Sequence, residues 1–130
     1  METSWNPLIK RVILLRPEAV VDVTVLLWEK LAVELASIIG EGGFQSVYER
    51  SGTLVSMQFP WMLLNSATQQ DEARFAGLRS SLESQEVGVA INGSIALLTT
   101  FLDILTALIG ELLMTNLLHA AWGDDVMNPN

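Results

Sequence analysis

The side chain with the widest chemical range in this sequence is His119, the only histidine among 130 residues. An imidazole can transfer protons, bind a metal ion or accept a transferred group. A helical phosphoacceptor histidine is commonly followed by a basic residue and glycine, whereas Ala120-Ala121-Trp122 follow here. We therefore expect His119 to lie near the C-terminal end of a helix, where its cation suits the helix dipole.

The acidic residues and glycines form no recognisable catalytic or metal-binding pattern. Asp103 and Glu111 are eight residues apart on one predicted helix, so they share a broad face without touching. The sequence lacks the di-metal pattern Glu-x-x-His, the nucleophile pattern Gly-x-Ser-x-Gly and a phosphate-binding glycine loop. It also lacks cysteine, which removes thiol nucleophiles and cysteine-ligated metals. We predict a non-catalytic protein with no metal and no cofactor.

Composition makes the chain acidic and unusually apolar. Half of the residues are hydrophobic, 17% are charged and the net charge is −8, with a mean hydropathy of +0.38. Such hydrophobicity excludes intrinsic disorder, and the acidic balance argues against nucleic acid binding, which needs basic groups to meet phosphate. One small core does not explain the apolar excess. We therefore expect self-association, with a homodimer as the simplest form.

Charge is unevenly distributed along the chain. All seven basic residues lie within residues 1–79, whereas residues 80–130 contain six acidic residues and no basic one. The basic segment 10–16 and the acidic C-terminal half would attract one another, within a chain or between subunits. The alternative is ordinary solvated charge with no partner.

The spacing of apolar residues predicts an all-α protein, a single-domain bundle of four to five helices over residues 1–130. A helix over 17–39 has apolar residues every three or four positions and ends at Gly40. A shorter helix follows over 43–57, and a third begins near Gln69. Residues 1–16 form either an N-terminal arm or a short helix, and residues 123–130 form a frayed tail.

The last helix is predicted to run from Ser94 to Ala121, a length of about 42 Å. It should be largely buried, because few of its side chains carry charge. Asn92-Gly93 should break the chain before it, and Ser94 should cap it. The alternative is that residues 87–91 belong to a helix that continues into this one. Gly110 inside the helix should mark a close approach to another helix.

The same apolar stretch could instead cross a membrane. Residues 87–102 and 104–110 carry no charge, but Asp103 would lie near the middle of the span, where a carboxylate costs about 2.5–3.5 kcal/mol. No basic residue follows to anchor the downstream side. We therefore expect no membrane span. Since the first residues do not resemble a signal peptide, we also expect a cytoplasmic protein.

A shift of 70 residues aligns two parts of the chain. It places Ile39-Gly40-Glu41 on Ile109-Gly110-Glu111, with apolar residues four, eight and twelve positions before each isoleucine. Two long helices with matching faces suit a pseudo-twofold bundle of two helical halves. The alternative is coincidence, because any two amphipathic helices align at some offset.

Tryptophan and the apolar stripes suggest where this protein binds. Tryptophan is rarely fully buried and is enriched at interfaces, and the chain has four. We predict a regulatory or adaptor bundle, such as a signalling or sensory module, that binds a protein partner through an apolar interface. The alternative is a carrier or sensor that holds a small hydrophobic ligand between the long helices. The predicted interface or ligand-groove residues are Trp28, Phe44, Trp61, Phe101, Leu105, Ile109, Leu112 and Trp122.

Overall fold

A computed structural model describes residues 5–62 and 75–123 of the chain. No strand lies in either range, so the prediction of an all-α bundle is confirmed. The predicted start of the third helix near Gln69 and most of the predicted tail lie outside the described residues. The elements, in chain order, are α1 (Asn6–Leu14), a 3-10 turn (Pro17–Ala19), α2 (Val20–Ser56), α3 (Ala76–Glu83), α4 (Val87–Ile109) and α5 (Glu111–Trp122).

The N-terminal segment is a short helix rather than an extended arm. Pro7 lies in the first turn of α1, where its missing N–H costs no hydrogen bond, and Ile9 and Ile13 are fully buried. The indole nitrogen of Trp5 donates a hydrogen bond to Oγ1 of Thr106 at 2.9 Å. This bond and the packing of α1 on α4 hold the segment against the bundle.

Helix α2 joins the two helices that were predicted over 17–39 and 43–57. The predicted break at Gly40 is confirmed as a kink, since this residue has φ 80° and ψ 165°. That conformation is open only to glycine, while helical hydrogen bonding resumes directly after it. Pro17 begins the 3-10 turn, and the α-helix itself starts at Val20.

The C-terminal helical region, α4 and α5, differs from the prediction of one helix over Ser94–Ala121. It starts earlier, at Val87, and it is divided at Gly110, where φ is 93° and ψ is 154°. Gly110 makes no close approach, because a Cβ built on it would meet no atom within 4 Å. Its role is conformational, like that of Gly40.

The predicted break at Asn92-Gly93 is wrong. Both residues lie inside α4, and Ser94 is fully buried in the helix instead of capping its start. Gly93 is there for packing, because a Cβ at this position would lie 2.5 Å from Cη2 of Trp61. An Asn-Gly pair commonly marks a turn, but here Gly93 lets an aromatic ring approach the helix closely.

The 70-residue repeat is visible in the structure. The two kink glycines have φ and ψ values within 15° of each other. All twelve positions that are buried between Val20 and Gly52 are again buried 70 residues later. The short helices follow the same scheme, since α1 packs on α4 and α3 packs on α2. We call residues 5–62 the first half and residues 75–123 the second half.

Polar contacts between elements are few and specific. The indole nitrogen of Trp122 donates to the backbone oxygen of Leu27 at 3.0 Å, which ties α5 to α2. Arg79 donates to Asp22 at 2.9 Å, which ties α3 to α2. The hydrogen bond to Asp22 raises the pKa of the Arg79 guanidinium above its usual value. Nδ2 of Asn6 donates to Oγ1 of Thr99 at 3.3 Å, which ties α1 to α4. The buried apolar side chains of the helices form one core.

Candidate functional site

The eight residues predicted for an interface or groove occupy different environments. Trp28, Phe44, Phe101 and Leu105 are fully buried, and Trp122 is nearly so. Trp61 and Ile109 are half-buried, and Leu112 is 76% exposed. The buried residues are core side chains in the single chain, so a partner would reach them only if the bundle opened.

The buried aromatic residues of this set belong to a larger cluster in the core. The ring of Trp28 lies 4.8 Å from that of Phe101 and 5.0 Å from that of Tyr48, measured between ring centroids. Phe44 and Phe75 complete the cluster, at 6.4 and 5.8 Å from Trp28. Most of these pairs are edge-to-face, an arrangement that stabilises aromatic packing. Tyr48 lies four residues after Phe44 on α2, so helical spacing could have added it to the predicted set. Phe75 lies just before α3, and spacing along α2 could not identify it.

Three exposed leucines lie within six consecutive residues around the second kink. Leu108 is 67% exposed, Leu112 is 76% exposed and Leu113 is 41% exposed. We call these three residues the kink patch. They lie on both sides of Gly110, the last two residues of the patch being in the first turn of α5. Sequence reasoning found Leu112 and missed the other two, which it assigned to a buried helix.

The first kink has no comparable surface. Ile38 is 45% exposed there, but glycines occupy positions 42 and 43, where the second half has Leu112 and Leu113. The two kinks therefore have similar backbone conformations and differ in their side chains. Aligning the two repeat sequences reveals this difference, since the alignment pairs two glycines of the first half with two leucines of the second.

Charge around the kink patch is acidic. Asp103 on α4 and Glu111 on α5 are both exposed, and residues 80–130 contain no lysine or arginine. The opposite combination occurs at the end of α1, where Leu14 is 49% exposed and Leu15 is 74% exposed. The surrounding segment 10–16 contains Lys10, Arg11 and Arg16 and no acidic residue. We call this segment the basic end.

A groove of about 250 Å³ lies beside the aromatic cluster. Its lining residues are Glu29, Ala32, Val33, Glu41 and Phe75. Phe75 connects the groove to the core, because its ring also contacts Trp28. The groove is large enough for part of a small apolar molecule.

The residues considered above for catalysis or metal binding lie on α4 and α5. His119 lies in the last turn of α5, as expected from the helix dipole. Asp103 and Glu111 lie on different helices, on opposite sides of Gly110. Within residues 5–62 and 75–123, no group of three or more metal-ligating side chains comes together.

Among the described helices, α4 is the one that is long and apolar enough to cross a membrane. It has 23 residues, and its most apolar window has a mean hydropathy of 1.6. Within the chain 44% of that window is buried, and α4 packs against α1 and α2. A core helix of a water-soluble bundle passes the same test.

No family model, no curated protein and no solved structure matches this chain. Burial, charge and backbone geometry are therefore the observations that bear on function. They point to the kink patch, where three leucines close in sequence are exposed.

Proposed function

We propose that this protein is a non-catalytic regulatory or adaptor module that binds a protein partner through the kink patch. One observation carries the proposal: Leu108, Leu112 and Leu113 are exposed together at a kink whose counterpart in the first half has glycines instead. Burying a leucine side chain is worth about 1.5–3 kcal/mol relative to leaving it in water. A cluster of exposed leucines is therefore typical of an interaction surface.

A protein partner fits the charge of this surface better than a membrane does. Helices that lie on membranes usually place lysine and arginine beside their apolar face, because lipid headgroups are often anionic. The two helices that flank the kink patch, α4 and α5, contain Asp103 and Glu111 and no lysine or arginine. The cytoplasmic location and the absence of a membrane span both stay predictions.

Photocrosslinking from the kink patch tests the proposal. A photoreactive amino acid replaces Leu112 in the full chain, in the cells that produce it. We expect a covalent product with one protein partner, mapped by mass spectrometry to a defined peptide. Met57, which is 75% exposed at the end of α2, is the matched control position and should give little product. Equal products from both positions, or none from Leu112, would contradict the proposal.

A second candidate function rests on the groove beside Phe75. Its apolar lining and its connection to the aromatic cluster favour a carrier or sensor of small hydrophobic molecules. Tryptophan fluorescence, titrated with indole and with a medium-chain fatty acid, should show a saturable change. The variant Val33→Trp fills the groove and should abolish that change. A flat titration of the unmodified chain would rule against this candidate.

A further inference from the structure

We infer that the partner on the kink patch is a second copy of this chain, which contributes its basic end. The inference rests on the proposed function, since it names the occupant of the same surface. In the resulting dimer, Leu14 and Leu15 of one copy contact Leu108, Leu112 and Leu113 of the other. Around this apolar contact, basic side chains of one copy face acidic side chains of the other.

The two surfaces are complementary in both polarity and charge. Each has leucines that are at least 41% exposed. The basic end adds Lys10 and Arg16, both exposed, whereas the kink patch is flanked by the exposed Glu111. Opposite charges at the edge of an apolar contact fix its register and favour the correct partner.

Other exposed apolar residues lack this combination. Leu26 and Val33 on α2 lie beside Lys30 but also beside Glu29. The first kink has an acidic residue, Glu41, but glycines where the leucines would be. The basic end has Lys10, Arg11 and Arg16 beside its two exposed leucines, and the nearest acidic residue in sequence is Glu18.

The fold prevents one chain from satisfying both surfaces by itself. Trp5, at the start of α1, is bonded to Thr106 near the kink patch. The basic end lies at the opposite end of this nine-residue helix, about 13 Å away along the helix axis. Both surfaces are accordingly exposed in the single chain.

A twofold axis lets two copies make the contact twice. In such an isologous dimer, the basic end of each copy meets the kink patch of the other, and no surface is left to bind a third copy. The doubling matters for stability, because a specific interface needs at least about 1,000 Å² of buried surface. One contact between five leucines is small on that scale.

Charge reversal combined with sedimentation equilibrium tests the inference on the full chain. The unmodified protein should sediment as a dimer of its 14.3 kDa chain. Glu111→Lys places a cation against Lys10 and Arg16 of the other copy, and we expect at least a tenfold higher dissociation constant. Arg16→Glu should weaken the dimer similarly, and the double variant should restore part of the affinity, because positions 16 and 111 then carry opposite charges again while Lys10 stays basic.

Net charge makes the first of these variants decisive. The chain carries −8, so two copies repel, and Glu111→Lys lowers that repulsion. General repulsion therefore predicts a stronger dimer, whereas the inferred contact predicts a weaker one. Glu41→Lys at the first kink changes the net charge equally and should leave the dimer intact or strengthen it. Thermal unfolding by circular dichroism confirms that each variant is folded.

The outcomes separate this inference from the proposed function. A chain that stays monomeric, while position 112 crosslinks to a different protein, overturns the inference and leaves the proposed function standing. A dimer that neither reversal weakens uses another face, which also overturns the inference. A monomer with no crosslinked product at position 112 contradicts both.

Discussion

The two kinks of this molecule have nearly the same backbone and different surroundings. At Gly40 and Gly110 the chain adopts the same glycine-only conformation, preceded by isoleucine and followed by glutamate. After the glutamate, the first half has two glycines and the second half has two exposed leucines. The shared features shape the bundle, whereas the difference creates a surface that the fold itself does not need.

The buried residues of the two halves likewise occupy corresponding positions but differ in side-chain type. Trp28, Phe44 and Tyr48 in the first half correspond to Leu98, Met114 and Leu118 in the second half, and all six are buried. Burial is conserved between the halves, but side-chain type is not. The repeat therefore specifies which positions are inside, and local packing determines which side chain fills each one.

The largest expected effect is a difference in stability between substitutions at two corresponding core positions, Trp28 in the first half and Leu98 in the second. Trp28→Ala removes the ring that contacts the rest of the aromatic cluster, and we expect it to cost about 3–5 kcal/mol of unfolding free energy. Leu98→Ala at the corresponding position should cost less, in the lower part of a range of about 2–5 kcal/mol. Urea unfolding followed by circular dichroism measures both. Equal losses would show that the aromatic cluster contributes no more than its aliphatic counterpart.

The next effect tests the equivalence of the kinks. Gly40→Ala and Gly110→Ala place a Cβ in open space, with no atom within 4 Å. Their cost is therefore backbone strain alone, about 1–3 kcal/mol each. The same unfolding experiment should give similar values at the two sites and an additive double variant. A cost at only one site would mean that the kinks are not equivalent.

A smaller effect is expected where the halves differ in helix packing. Gly93→Ala should displace the ring of Trp61, which is half-buried and can move, at a cost of about 1 kcal/mol, the lower end for overpacking. In the variant Trp61→Ala, the same glycine substitution should be more favourable by about 1 kcal/mol, since the ring no longer opposes the Cβ, although Cε of Met62 still lies 3.0 Å from it. Additive losses in this double-mutant cycle would contradict the contact.

The smallest effect concerns how the short helices are attached. The ion pair between Arg79 and Asp22 joins α3 to α2 and is largely exposed, so Arg79→Ala should cost no more than about 1 kcal/mol. That cost should fall at high salt, because salt screens exposed charges. Trp5→Phe removes the neutral hydrogen bond to Thr106 that joins α1 to α4, and its cost should not depend on salt.

Much of this fold is predictable from local sequence patterns. Apolar spacing predicts the helices, and Gly40 predicts the first kink, because both depend on residues close in sequence. The environment of Gly93 was not predictable, since it depends on Trp61, more than thirty residues earlier. Gly110 was read as a packing site, although its counterpart Gly40 was correctly read as a break.

The candidate site was predictable only in part. Apolar residues on long helices do lie inside, so a set chosen for hydrophobicity consists mainly of core residues such as Trp28 and Phe101. Surface position depends on how helices pack, which spacing along one helix does not specify. Leu108 and Leu113 were missed for that reason, and the glycine–leucine difference between the repeats is the signal that identifies them.

Amide hydrogen exchange of the unmodified chain, at protein concentrations below and above the dimer dissociation constant, tests the central claim most directly. The claim is that the second kink binds and the first does not. We predict slower exchange at high concentration over residues 108–116 and 10–16, with residues 38–46 unchanged. Equal slowing at both kinks, or no slowing over residues 108–116, would contradict the account.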